Sequence, residues 1–76
     1  MKLEEIIADA LGIPLESVHE TLTVEDVQSW DSLAHVGLVI RLEAAYGVSF
    51  QPSEIERMYK SVGDIRDVLR RKGVNV

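Results

Sequence analysis

Seventy-six residues with thirteen acids, eight bases and no cysteine describe one small acidic domain that must be stabilised by helix packing, since disulfides and thiolate metal sites are excluded. A hydrophobic share of 46% beside a charged share of 28% fits a folded globule rather than a disordered chain. The net charge of −5 opposes nucleic acid or an anionic membrane surface as a partner.

The chain opens with Leu3, Ile6, Ile7, Ala10 and Leu11 at helical spacing and Glu4, Glu5 and Asp9 opposite, which predicts an amphipathic helix of about three turns. Gly12 stops it and Pro14 prevents its resumption. These early acids and the lack of a long apolar run describe neither a signal peptide nor a membrane anchor, so a cytoplasmic protein is expected. From Ile13 to Asp31 no period is sustained, yet Ile13, Leu15, Val18, Leu22, Val24, Val27 and Trp30 are spread through the stretch. A connection this long is uncommon in a small domain, and its scattered apolar residues read as a strap laced across a bundle.

Asp31 is a helix-capping residue, Ser32 opens the first turn, and Leu33, Val36, Ile40 and Ala44 recur at the three-and-four spacing of a buried stripe. The pattern predicts a helix over 32–46, closed by Gly47. It is apolar nearly all round, so it is either central or offers one face to a partner. Gly37 in its interior costs about 0.5–1 kcal/mol against alanine, a cost that close approach by a neighbouring helix or by a partner would offset. A hydroxyl at such a helix start is well placed to carry a phosphate, because free backbone N–H groups and the helix dipole both favour an anion there.

Val48, Ser49 and Phe50 have no second run to pair with and read as an apolar clasp. Pro52 and Ser53 start a short third helix, with Ser53 and Glu56 at capping-box spacing and Ile55 and Met58 inward. Ser61 and Asp64 repeat the start signal, and Val62, Ile65, Val68 and Leu69 form the inner face of a last helix stopped by Gly73. Arg70, Arg71 and Lys72 crowd its final turn, where cations complement the helix dipole. The expected fold is all-α: a small four-helix bundle, three main helices plus a short third one, with a long first loop, formed by residues 1–76 as a single domain.

No metal-ligand spacing links His19 or His35 to the acids, and the glycines are isolated rather than gathered into a phosphate loop. Ser32 and His35 lie three apart with Asp31 adjacent, the raw material of a nucleophilic serine. A working serine nucleophile also needs an oriented base, an oxyanion hole and a cleft, which so small a bundle offers little room for. His35 reads as a surface residue near the helix start, and no catalytic residue is assigned.

Asp31-Ser32-Leu33, the helix ending in Leu42-Glu43-Ala44-Ala45-Tyr46-Gly47-Val48, and the later Ser61-Val62-Gly63-Asp64-Ile65 together resemble the acyl carrier protein family over essentially the whole chain. The resemblance implies that Ser32 is the attachment point of 4′-phosphopantetheine, transferred from coenzyme A by a phosphopantetheinyl transferase. It also implies that a thiol arriving with that cofactor holds acyl groups as thioesters for delivery to acyl-loading and acyl-transfer enzymes. Such a carrier is expected to be a monomer with no catalytic activity alone. The lead-in Trp30-Asp31-Ser32-Leu33-Ala34-His35 resembles freestanding carriers of specialised pathways, with polyketide-type, aminoacyl or hydroxyacyl cargo.

The chain departs from many fatty-acid carriers after the serine, where Ala34, His35 and Gly37 and then Arg41 stand in place of docking acids. Partner contact is therefore expected to rest on apolar complementarity at Leu33, Val36, Gly37 and Ile40, with Arg41 beside them, or on the acidic loop from Glu16 to Asp31. The pattern alone also allows core packing at Leu33, Val36 and above all Ile40. The alternative function is a non-catalytic helical interaction module that uses the apolar helix 32–46.

Overall fold

The structure, a computed structural model, describes residues 2–76 and places four α-helices among them: α1 (Leu3–Leu11), α2 (Ser32–Tyr46), α3 (Pro52–Met58) and α4 (Val62–Arg71). This is the small all-helical bundle the apolar spacing calls for. Helix α1 packs on α2 and α3 on α4. Leu3, Ile6, Ile7 and Leu11 line the buried side of α1, joined by Ala8, while Ala10 is only partly covered. Gly12 takes the left-handed conformation at φ 66° and its N–H donates to the Ala8 carbonyl, a stop that any Cβ would strain.

Helix α2 has the predicted span, and Gly47 ends it at φ 64°. Its orientation differs from expectation. Leu33, Val36 and Ile40 are 80%, 52% and 59% exposed, and Ala44 is exposed with them. The buried residues are His35, Leu38, Val39 and Leu42. Both sets satisfy helical spacing, and Leu33 and His35, two residues apart, point about 200° from one another. A histidine on the inner face is what the hydrophobic pattern does not foresee, so His35 is corrected here from a surface residue to a core residue.

The start of α3 is also corrected. Gln51 is its cap, and the Gln51 N–H donates to Glu54 Oε1 at 2.7 Å, two residues earlier than a Ser53–Glu56 box. Proline at the first helical position, already lacking an N–H, fixes that earlier start. Met58 is fully buried and Ile55 partly so. Helix α4 begins as expected, with the Asp64 N–H donating to Ser61 Oγ at 3.1 Å. Its inner face is Val62, Ile65, Val68 and Leu69.

The connection from α1 to α2 contains two single 3-10 turns, Leu15–Ser17 and Val24–Asp26. Val18, Leu22, Val27 and Trp30 are its buried anchors, whereas Leu15 is about half exposed. Backbone bonds stitch it to the start of α4: Val24 N to Lys60 O at 2.9 Å, Val62 N to Leu22 O at 3.0 Å and Gly63 N to Glu20 O at 3.0 Å. The basic residues ending α4 are engaged within the chain. Arg70 Nε donates to the Val76 carbonyl, Arg71 pairs with Asp67, and Lys72 pairs with Glu54 while lying over the Phe50 ring.

Leu42 sits at the centre of the core with no exposed surface. Leu42→Ala is expected to lower unfolding free energy in urea by about 2–5 kcal/mol, and a loss confined to a few tenths would contradict this placement of α2.

Candidate cofactor attachment site

Ser32 is the first residue of the fifteen-residue α2 and is exposed. Asp31 precedes it in extended conformation, and its Oδ1 accepts from the Ala34 N–H at 2.8 Å. This cap satisfies one of the free donors of the first turn. The N–H groups of Ser32 and Leu33 lie ahead of the intrahelical ladder, at the positive end of the helix. Among the described residues, no protein hydrogen bond engages the Ser32 hydroxyl, which leaves it open to solvent or to an incoming group.

The segment carrying this serine is anchored on both sides. Trp30 is 1% exposed and His35 3%. Trp30 Nε1 donates to His35 Nδ1 at 3.1 Å, and His35 Nε2 meets the Ile55 carbonyl of α3 at 2.9 Å. The Tyr59 ring lies 4.7 Å from the imidazole, centroid to centroid, and its hydroxyl donates to the Trp30 carbonyl at 3.4 Å. Both ring nitrogens of His35 are thus committed to groups other than Ser32. A Ser32–His35 nucleophile pair has no free base in this arrangement, whatever their spacing in sequence.

Leu33, Val36, Gly37, Ile40 and Arg41 are all exposed, which brings the expected partner residues onto one outward surface of α2. Arg41 forms no ion pair with a described residue, and Glu43 is turned aside with Oε2 accepting from the Phe50 N–H at 3.0 Å. The acids on the connection before the serine include Glu16 and Glu25, both exposed. Trp30 and Tyr59 as joint supports of the serine segment were not foreseen. The signal available was a tryptophan two residues before the serine and a histidine three after it, on a helix whose inner face was ambiguous.

The family description "phosphopantetheine attachment site" matches residues 2–69 of the chain. The acyl carrier protein of Thermosynechococcus vestitus is 36% identical over 72 residues, spanning 93% of this chain and 86% of its own. The chain belongs to the phosphopantetheine-attachment family. The acyl carrier protein of Thermotoga maritima is 32% identical over 71 residues, with coverages of 93% and 86%. That of Saccharopolyspora erythraea is 31% identical over 67 residues, with coverages of 88% and 70%. Membership gives the chain the function of an acyl carrier with a covalently bound 4′-phosphopantetheine. Family members are carriers that work with acyl-transfer enzymes and receive the group from a phosphopantetheinyl transferase. No helix among the described residues is long and apolar enough to cross a membrane.

Gly37 faces the exposed side of this carrier's main helix, and a Cβ built there meets nothing within 4 Å. Close approach by a neighbouring helix therefore does not account for it. Gly37→Ala is expected to raise the unfolding free energy by about 0.5–1 kcal/mol, read as a higher urea midpoint with an unchanged slope.

Proposed function

We propose that this acyl carrier bears its 4′-phosphopantetheine on Ser32 and presents the outer face of α2 to its enzymes. The observation that carries the proposal is the exposed, unengaged hydroxyl at the first position of α2, where the free N–H groups of Ser32 and Leu33 favour a phosphodiester. Asp31 is drawn toward Ala34 N, which holds the first turn in shape while the oxygen of its neighbour is modified. The residues present therefore fit the group. When bound, the group supplies a thiol on which acyl chains are held as thioesters; Ser32 anchors it, and Asp31 and Leu33 complete the attachment motif.

The chain's own side chains provide position and recognition rather than catalysis, since His35 has no free nitrogen for Ser32. In this reading residues 1–76 form one monomeric carrier domain in the cytoplasm. Its partners are a phosphopantetheinyl transferase and enzymes that load and transfer acyl, aminoacyl or hydroxyacyl groups, and its net charge of −5 argues against nucleic acid. Leu33, Val36 and Ile40 supply apolar contact, Gly37 permits close approach, and Arg41, which pairs with no described residue, is the charge beside them. Such a face suits an apolar groove bordered by acids rather than a basic patch.

Incubation with coenzyme A and a broad-specificity transferase is expected to add one phosphopantetheine by intact mass, and to add none to Ser32→Ala. Equal modification of that variant would remove Ser32 from the site. For docking, Leu33→Ala and Arg41→Glu in the loaded carrier are each expected to lower kcat/KM of a cognate acyl-transfer enzyme, by on the order of tenfold for Leu33. Unchanged transfer by both variants would move the partner surface elsewhere.

A further inference from the structure

His35 is the one buried polar residue of the described core, and carrying an acyl group makes no use of it. An indole N–H only donates and a backbone carbonyl only accepts. An imidazole placed between Trp30 Nε1 and the Ile55 carbonyl must therefore be neutral, with a lone pair on Nδ1 and its proton on Nε2. The first bond ties the segment before Ser32 to α2, and the second ties α2 to α3. Tyr59, stacked near the ring and bonded to the Trp30 carbonyl, closes the remaining side.

We propose that His35 is a positioning residue that couples the Ser32 segment to α3, and that it does so only while its imidazole is neutral. This rests on Ser32 being the modified residue. A proton added to Nδ1 turns the acceptor for Trp30 into a donor, so two N–H groups face one another, while the Nε2–H bond to Ile55 survives. The coupling is thus lost on the Trp30 side, two residues before Ser32, and α2 keeps its hold on α3.

The groups packed on the ring are the Trp30 indole, the Ile55 carbonyl and the Tyr59 phenol. The surrounding charges are directed elsewhere: Asp31 caps Ala34, Glu43 accepts from Phe50, Glu54 pairs with Lys72 and Arg57 with Asp67. Glu56 and Arg41 are exposed. Burial lowers the His35 pKa from 6.5, opposed in part by the Ile55 carbonyl. As pH falls the unfolded chain takes this proton first. The stability that neutral His35 contributes is therefore complete above 6.5 and is lost between 6.5 and the lower folded value.

The test is a 1H–15N NMR titration of the unmodified chain from about pH 7.5 to about pH 5, a range spanning the ordinary histidine value, with modification rates measured by intact mass across it. The Trp30 indole N–H and the Ser32 and Leu33 amides are expected to shift along one curve with the His35 ring. In Trp30→Phe, which removes the opposing donor, the His35 midpoint is expected to rise. In His35→Gln, whose amide offers one acceptor and one donor but does not titrate, these amide shifts are expected to vanish. The ratio of the His35→Gln modification rate to that of the wild type is expected to start near one and to grow about threefold or more by the acid end. A Ser32 amide that ignores the His35 titration, a His35 midpoint unmoved in Trp30→Phe, or a rate ratio flat with pH would each overturn the coupling. The NMR arm needs no modification at all, so its failure is separable from a wrong attachment residue, which Ser32→Ala reports.

Discussion

A neutral imidazole held between an indole donor and a carbonyl acceptor decides which way α2 faces, and most of the surface follows from that. The helix has aliphatic residues on nearly every side, so burial of apolar area alone distinguishes poorly between rotations. A buried polar ring does distinguish them, because it is tolerated only where both nitrogens find partners. Only one rotation gives His35 the Trp30 N–H and the Ile55 carbonyl together. With His35, Leu38, Val39 and Leu42 inward, Leu33, Val36 and Ile40 are carried outward as a geometric consequence.

The same bonds reconcile a long connection with a small, cysteine-free domain. The twenty residues between α1 and α2 would cost much ordering entropy if held at their ends alone. Here the strap is fixed along its length by the buried side chains of Val18, Leu22, Val27 and Trp30. Ser29 Oγ donates to the Leu11 carbonyl at 2.7 Å, the backbone pairs with the start of α4, and Arg66 of α4 reaches both Glu4 of α1 and Glu20 of the strap. Arg66 is the better covered member of that triad, so its pairing is screened less than that of the exposed pairs. The final anchor, Trp30, delivers the chain to Asp31 and Ser32 already oriented.

Helix boundaries were largely legible because local chemistry sets them: Gly12 and Gly47 in left-handed stops, Asp31 and Ser61 as caps, the spacing of Ile65, Val68 and Leu69. The position of Ser32 at the start of α2 was legible for the same reason. What was not legible depended on groups distant in sequence. The rotation of α2 turns on the Ile55 carbonyl twenty residues away, and a backbone acceptor has no sequence signature. Polarity made His35 look superficial, when a satisfied histidine can be a core residue. At α3, two capping registers were available, and the proline at the first helical position selected the earlier one.

The outward rotation of α2 also bears on how a carrier separates holding from release. Three large aliphatic side chains left in water cost stability that burial would have provided, and a tight, permanent partner would recover it. A carrier that visits several enzymes needs the opposite, a face apolar enough to seat yet too small to retain. In the proposed reading, Leu33, Val36 and Ile40, exposed with an open Gly37 between them, form such a limited face. In the same reading Arg41, without an ion pair among the described residues, adds orientation more than affinity. In the proposed reading the acids remain on the strap that precedes Ser32, so charge and apolar contact reach an enzyme from different elements. Only the junction at Trp30, Asp31 and Ser32 belongs to both, and its geometry is the one the buried imidazole holds.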